Sequence, residues 1–351
     1  MSLDWITHPT KPLHKPSIQA AEERQEQLTK PPGSLGQLES IAIRLAGMQQ
    51  SDRPSLEQAQ ITIFAADHGV VAEGVSAFPQ SVTLEMVRNF SHGGAAICVL
   101  AQQLNAKMEI VNLGTVENDN TLDNIHNQPL GQGTANFTKQ AAMTSEQLAQ
   151  ALEAGQQAVE CTMETGTQIF IGGEMGIGNT TAASTLACAI TGIPANQLAG
   201  PGTGLNQEGI SHKVEVIQRA LTLHQDHLDE PLEALRRLGG FEIAALVGSY
   251  ITCAIKGLPV LVDGFITSVA ALIATQINPG TKDWLIFAHQ SAEPGHLLVL
   301  EALEATPLLD ISMRLGEGSG AAITLPLLRL ACALHNNMAT FTEAGVSGKD
   351  A

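Results

Sequence analysis

The sequence predicts an α/β protein, with a parallel sheet domain and a small helical domain formed from both chain ends. Short apolar runs alternate with longer amphipathic runs through the middle of the chain, a pattern typical of parallel strands joined by crossover helices. The first 50 residues and the tail from about residue 318 carry helical patterns instead. We therefore expect residues 55–310 to form the α/β sheet domain, and residues 1–54 and 311–351 to form the helical domain.

The individual elements follow from the same patterns. Two helices are expected at about 17–28 and 34–48, and Pro31-Pro32-Gly33 must break the chain between them. The tail is helical again, and Pro326 is expected to kink it. The predicted strands are 61–66, 108–113, 167–172, 258–263 and 284–288. The other predicted helices are 93–104, 145–163, 179–191, 207–223, 240–256 and 264–276.

The composition of the 351-residue chain argues against several classes of protein. A net charge of −17, with 18 Lys plus Arg and 3% aromatic residues, disfavours a nucleic-acid partner. No uninterrupted run of about 18 apolar residues occurs, so we expect no membrane span. The first residues lack the apolar core of a signal peptide. Five widely separated cysteines without a C-x-x-C pattern suit a reducing compartment, so the expected location is the cytoplasm.

Polar residues follow four of the predicted strands. They are Asp67-His68-Gly69, Gly172-Gly173-Glu174, Asp263-Gly264 and His289-Gln290-Ser291. Each group alone would be explained as an ordinary turn or helix cap. Because the carboxyl ends of parallel strands share one edge, the four groups together predict a ligand-binding crevice.

The stretch IGGEMGIGNTTAAS (171–184) resembles a P-loop in which asparagine replaces the lysine. Gly176 and Gly178 free the backbone so that N–H groups can surround an anion, and Asn179 and Thr180 begin the predicted helix. The missing lysine is the charge that would reach outer phosphates, so the loop suits a single phosphate. A strand-to-helix turn that merely needs glycine is the alternative.

A second glycine-rich stretch, AGPGTGLN (199–206), lies between two predicted helices. Gly202 and Gly204 allow close backbone approach, and Thr203 offers a hydroxyl group. Lys213 falls within the first two turns of the next helix, where it could reach back to an anion. An ordinary solvated lysine is the alternative. Together with the first loop, these residues would suffice to bind one phosphoribosyl group.

A third glycine-rich stretch, MRLGEGSGAA (313–322), places Glu317 between Gly316 and Gly318 at the junction of the two predicted domains. A carboxylate here would face an interdomain cleft, although a helix-entry residue favoured by the helix dipole is the alternative. Glu174, inside the first glycine-rich loop, is the competing carboxylate.

A metal site is not expected from the sequence. His289, Glu293 and His296 have helical spacing, but Pro294-Gly295 makes the helix begin after His289 and separates the three side chains. The chain also lacks the G-x-S-x-G motif of a nucleophile elbow. Covalent catalysis therefore has no favoured candidate.

Seven motifs occur in order across almost the whole chain: KPPGSLGQLE, ADHGVVAEGVSAFP, GGEMGIGNTT, GPGTGL, LVDGFITSVAAL, FAHQSAEPGH and LGEGSGAA. As a set they closely resemble the nicotinate-nucleotide–dimethylbenzimidazole phosphoribosyltransferases, which prepare the lower-ligand nucleotide of cobalamin. The resemblance implies that the sheet domain is Rossmann-like, that the small helical domain comes from both chain ends, and that the protein is a homodimer without a metal or redox cofactor. It also implies that nicotinate mononucleotide and 5,6-dimethylbenzimidazole are converted to α-ribazole 5′-phosphate and nicotinate.

The resemblance implies roles for individual residues. Glu317 matches the catalytic carboxylate and general base, and Glu174 matches a second functional acid near the ribose. The phosphoribosyl group would be bound by Gly176, Gly178, Asn179, Thr180, Gly202, Thr203, Gly204, Lys213, Asp263 and Ser291. The benzimidazole pocket would contain Phe78, Gln80, Met86, Arg88 and Leu315. Gln80 and Arg88 depart from the expected pattern, which has a serine or other small polar residue and a glutamine.

The implied chemistry accounts for the missing lysine, because the ligand carries one phosphate and no Mg²⁺. The nicotinate leaving group is already a cationic pyridinium while it is bonded to the ribose and becomes neutral as it departs, so a base is needed and a general acid is not. Attack on the opposite face would invert the anomeric carbon from β to α. Two alternatives stay open: a P-loop-like nucleotide hydrolase or kinase, and a non-catalytic nucleotide sensor.

Overall fold

The computed structural model describes residues 3–117, 119, 121–122 and 124–347. Its centre is a six-stranded sheet in which neighbouring strands are parallel. The strands are β1 Ala59–Ala66, β2 Lys107–Gly114, β3 His126–Asn127, β4 Ile169–Met175, β5 Val260–Val262 and β6 Leu285–Phe287. Their spatial order, β3-β2-β1-β4-β5-β6, is that of doubly wound dinucleotide-binding folds. The predicted Rossmann-like sheet is therefore confirmed.

The helices occupy most of the intervals between strands. They are α1 Lys15–Gln27, α2 Gln37–Gln49, α3 Ser81–Ser91, α4 Ala96–Gln103, α5 Ser145–Met163, α6 Asn179–Thr191, α7 Ala195–Leu198, α8 Gln207–His224, α9 Pro231–Leu238, α10 Phe241–Lys256, α11 Phe265–Ile277, α12 Gly295–Ala302, α13 Ser319–Asn337 and α14 Phe341–Ala344. Short 3₁₀ turns lie at Asp4–Thr7, Gly69–Glu73, Gln225–His227 and Pro279–Trp284. None of the described helices is long and apolar enough to cross a membrane.

The predicted strands and helices are all present, with boundaries shifted by a few residues. Strand β3 and helices α3, α7 and α9 were not among those predicted. β3 is only two residues long and exposed, so it carries no alternating pattern. Helix α13 continues as one helix through Pro326. Helix α12 begins at Gly295, as the Pro294-Gly295 break predicts.

The sheet has an apolar layer on each face. In β1, Phe64 belongs to one buried cluster and the preceding Ile63 to the other, because successive side chains of a strand point to opposite faces. The first cluster contains residues of α5, α6, α10 and α11. The second contains Leu45 of α2 and Leu325 of α13, so helices from both chain ends cover the same face.

The two chain ends are also joined by polar contacts. The Arg24 guanidinium donates to the carbonyls of His335, Asn336 and Met338, at 2.7, 3.0 and 3.2 Å. Leu28 forms an antiparallel bridge with Thr340. Because α2 and α13 share an apolar core with the sheet, the division into two domains stays a prediction.

Candidate active site

A cleft of about 310 Å³ opens at the carboxyl edge of the sheet. It brings together eleven of the predicted site residues: Phe78, Glu174, Gly176, Asn179, Thr180, Gly202, Thr203, Asp263, Ser291, Leu315 and Glu317. The predicted residues that do not line it are Gly178, Gly204, Lys213, Gln80, Met86 and Arg88. The crevice expected from the strand ends is thus formed.

The loop between β4 and α6 forms one wall of the cleft. Gly178, with φ of +98°, precedes the first residue of α6. A side chain at Gly176 would collide with the carbonyl oxygen of Ala66, so the loop packs tightly against the end of β1. Asn179 and Thr180, the first two residues of α6, line the cleft. The N-terminus of α6 therefore faces the cleft, where the helix dipole favours an anion.

Lys213 supports this wall from behind. Its side chain is fully buried, and Nζ donates to Thr180 Oγ1 at 3.0 Å and to the carbonyl of Gly200 at 3.3 Å. The alternative interpretation of Lys213 as a solvated lysine is therefore wrong. Because Thr180 lines the cleft, the ammonium group adds positive charge directly behind this wall.

We expect ligand binding at this wall to weaken at alkaline pH. Burial lowers the pKa of Lys213 to about 8, while the nearby Glu293 carboxylate acts in the opposite direction. Only the protonated form attracts an anion, so kcat/KM for a phosphorylated substrate should fall as the pH rises through about 8. The pH dependence of kcat/KM reports the pKa values of ionisable groups on the free enzyme. In Lys213→Arg the decline of kcat/KM should disappear. A decline that persists in this variant would mean that another ionisable group causes it.

Two carboxyl groups lie together at the floor of the cleft. Burial, followed by the charges of Asp263 and Glu242, raises the pKa of Glu174 well above the ordinary glutamate value, although the Asn179 amide donates to it. Burial also raises the pKa of Asp263 to about 7, even though Asp263 accepts the N–H of Ala321 at 2.7 Å. Both groups are therefore shifted toward their neutral forms, in which a carboxyl group can donate a hydrogen bond.

Glu317 occupies a strained turn at the entrance to α13. Gly316, Glu317 and Gly318 have φ angles of +88°, +62° and +74°. The left-handed conformation is uncommon for glutamate. The two flanking positions adopt the same left-handed region, which favours glycine there. A side chain at Gly173 would lie 2.6 Å from the Glu317 carbonyl carbon, and one at Gly316 would collide with Glu174 Oε1. The turn thus brings the two glutamates close to each other.

The carboxylate of Glu317 has one occupied and one unoccupied oxygen. The backbone N–H of Ile97, at the start of α4, donates to the carboxylate and lowers its pKa, but burial dominates and raises it. Glu317 Oε2 is buried, and no hydrogen-bond partner for it occurs within the described ranges. A carboxylate held at one oxygen and free at the other is suited to accept a proton.

The segment predicted to bind the benzimidazole is only partly at the cleft. Phe78 and Leu315 line the cleft with 48% and 56% of their surface exposed, forming an apolar rim. Gln80 instead donates to the carbonyl of His68 at 2.8 Å. Arg88 pairs with Asp119 at 2.9 Å, and Met86 packs against the second apolar cluster.

Sequence reasoning missed one cationic residue of the cleft. Arg314 lines it and donates to the carbonyl of Gly202 at 3.1 Å, so it links the Glu317 turn to the second glycine-rich loop. Gly202 also donates its N–H to the buried Glu293 carboxylate. Arg314 belongs to the glycine-rich stretch 313–322 that contains Glu317. Its place in that stretch was the indication in the sequence that Arg314 lies near the cleft.

A doubly wound sheet with a glycine-rich anion loop and converging carboxyl groups is the arrangement of an enzyme that acts on a phosphorylated sugar or nucleotide. The comparisons with known proteins agree with this class. A family model described as phosphoribosyltransferase matches residues 10–346, and the chain belongs to that family.

Several curated relatives bear the name nicotinate-nucleotide–dimethylbenzimidazole phosphoribosyltransferase. The protein of that name from Pseudomonas putida KT2440 is 57% identical over 351 residues, covering 100% of both chains. The one from Pseudomonas aeruginosa PAO1 is also 57% identical over the full length of both chains. The crystal structure of the enzyme of that name from Thermus thermophilus superposes with a TM-score of 0.90 at 42% identity, covering 96% of this chain and 100% of that one. The resemblance inferred from the motifs is thereby confirmed.

Proposed function

We propose that this protein transfers the phosphoribosyl group of nicotinate mononucleotide to 5,6-dimethylbenzimidazole, with inversion at the anomeric carbon and Glu317 as the general base. The products are α-ribazole 5′-phosphate and nicotinate. The full-length relatives support the two substrates, since their names contain both. The observation that supports the base is the Oε2 of Glu317, which has no hydrogen-bond partner in the part of the chain that the structure describes, at a cleft lined by the glycine-rich loop before α6.

The two sides of the cleft suit the two substrates. The wall formed by Gly176, Thr180 and Gly202 would bind the phosphate, with Lys213 behind it. The apolar rim of Phe78 and Leu315 would contact the flat benzimidazole ring. Positioning the two substrates supplies much of the acceleration, because it makes the reaction effectively unimolecular.

Proton transfer is the step that needs a protein group. The attacking benzimidazole nitrogen becomes bonded to the anomeric carbon as the bond to nicotinate breaks, and the proton on the other ring nitrogen passes to Glu317 Oε2. Glu174 is shifted toward its neutral form, so its proposed role is to orient the ribose hydroxyl groups by hydrogen bonding. No general acid is required, because the departing pyridinium becomes neutral as it leaves.

The direct test of this proposal is product formation from the two purified substrates. The expected product is the α-configured ribotide, identified by the coupling and chemical shift of its anomeric proton. A protein that hydrolyses the mononucleotide, or binds it without turnover, would support the hydrolase or sensor alternative instead.

Exhaustive EDTA treatment should leave the rate of phosphoribosyl transfer within about twofold of the untreated enzyme. The reason is that the loop has Asn179 in place of the lysine that reaches the outer phosphates of polyphosphates, while a single phosphate can be bound by N–H groups and one ammonium. ATP should also bind poorly in competition with the mononucleotide. Loss of activity that Mg²⁺ or Zn²⁺ restores would contradict this account of the loop.

The resemblance also supports proposals about assembly and location. We infer a homodimer in the cytoplasm, which sedimentation of the purified protein and fractionation of cells would test. A sedimentation coefficient that corresponds to a monomer, measured at micromolar protein concentration, would overturn the inference of a homodimer.

A further inference from the structure

Thr83, in the first turn of α3, joins three segments through a single hydroxyl group. Its Oγ1 donates to Asp67 Oδ1 at 2.6 Å and accepts the N–H of Ile177 at 3.1 Å. Asp67 Oδ2 in turn accepts the N–H of Val116 at 2.9 Å. Thr83 and Asp67 are both buried, so water does not compete for these contacts.

This use of a helical threonine differs from that of other buried threonines in the chain. Thr185, Thr252 and Thr324 donate to the carbonyl four residues earlier in their own helices. Such bonds satisfy the hydroxyl group locally and connect nothing else. The Thr83 hydroxyl instead bonds to the end of β1 and to the loop after β4. Its contacts are therefore tertiary and hold separate segments together.

The loop that Thr83 contacts is the one that forms the anion-binding wall. Ile177 lies between Gly176 and Gly178, and all three precede the first residue of α6. Glycine on both sides gives the free loop many accessible conformations, and ordering such a loop on binding opposes affinity. An acceptor for the Ile177 N–H removes much of this freedom before the ligand arrives.

We propose that Thr83 is a positioning residue, whose hydroxyl group holds the loop of residues 176–178 in the conformation that binds the substrate's phosphate. The inference rests on the proposed function for the identity of that substrate. Thr83 lies on the same helix as Met86 and Arg88, in a segment for which the sequence predicted only a base-pocket role. It acts through Ile177 and need not touch either substrate.

Thr83→Val should raise KM for the mononucleotide about 5- to 50-fold, because the variant keeps the volume of the side chain but leaves a buried N–H without an acceptor. The kcat value and KM for dimethylbenzimidazole should change less than about threefold, since the phosphate is bound alike in the ground and transition states. Thr83→Ser, which retains the hydroxyl group, should keep KM within about threefold of wild type.

Thr252→Val is the matched control, because it removes an equally buried hydroxyl group that donates within α10 at 2.8 Å. It should lower the melting temperature without changing either KM. If Thr83→Val does not fold, Thr83→Ala replaces it in the same comparison. A Thr83 variant that folds and retains the wild-type KM for the mononucleotide would overturn the proposal.

Titration of wild type and Thr83→Val with ribose 5-phosphate separates this inference from the proposed function. A dissociation constant raised about 5- to 50-fold in the variant supports the role of Thr83, even if wild type fails to turn over the two substrates. Equal dissociation constants reject it, even if the wild-type enzyme is fully active.

Discussion

Glu317→Gln is expected to lower kcat by about 10²–10⁴, with little change in KM for nicotinate mononucleotide. The substitution preserves the shape of the side chain and an acceptor for the Ile97 N–H, but it removes the oxygen that can take a proton. A positioned general base contributes an acceleration of this size. Steady-state kinetics with each substrate varied in turn would measure both quantities.

The pH profile tests the same assignment. Burial raises the pKa of Glu317, so the base becomes protonated and inactive at a pH above the ordinary glutamate range. The kcat value should therefore fall as the pH decreases through this raised pKa, and the acidic limb should vanish in Glu317→Gln if proton transfer limits turnover. A nucleophile that has already lost its proton should partly restore activity to the variant.

Two further variants test whether Glu317 is correctly assigned as the general base. Glu109→Gln is a matched control, because burial also raises the pKa of Glu109, which lies in the first half of β2, away from the carboxyl edge of the sheet. It should leave kcat unchanged. Glu174→Gln should impair sugar binding and orientation. If it abolishes kcat while Glu317→Gln remains nearly normal, Glu174 is the base.

Lys213→Met should raise KM for the mononucleotide about 10- to 150-fold while lowering kcat much less. The methionine keeps most of the side-chain volume but removes the ammonium group behind Thr180. A charge-assisted hydrogen bond contributes roughly 1.5–3 kcal/mol, and each 1.4 kcal/mol is a factor of ten. The effect should appear in KM because the phosphate does not change during the reaction.

Lys30→Met is the appropriate control for this substitution. Lys30 is also buried and pairs with Glu39 at 2.9 Å, but it lies between α1 and α2 and does not line the cleft. It should lower stability without altering KM for either substrate. A mononucleotide KM that is equally unaffected in Lys213→Met would mean that the backbone loops alone bind the phosphate.

Much of the site was predictable because its residues lie at positions that local patterns reveal. Asp263 and Ser291 follow apolar strands, and parallel strands end at one edge. Glu317 stood out because glycine flanks it, and the structure shows the left-handed backbone that requires those glycines. The role of each residue in binding or catalysis is still a prediction.

Other residues could not be placed from the sequence. Gln80 and Arg88 belong to the segment predicted to bind the base, yet the first bonds to the backbone of His68 and the second pairs with Asp119. Which face of α3 meets the cleft depends on how the helix rotates as it packs against the sheet. The burial of Lys213 has the same origin, because an isolated helix pattern does not reveal what covers it.

The sequence by itself determined the fold class, the parallel sheet and the edge that carries the cleft, since these depend on apolar periodicity and on the polar residues after each strand. Tertiary structure alone decided that Lys213 is buried behind Thr180, that one oxygen of Glu317 has no partner among the described residues, and that Thr83 bonds to the loop before α6. Periodicity is a property of residues that are neighbours in the sequence. The hydrogen bonds of Lys213 to Thr180 and of Thr83 to Ile177 join residues more than 30 positions apart. The environment of the Glu317 carboxylate depends on all the groups packed around it, so these three features arise only when the helices and strands pack together.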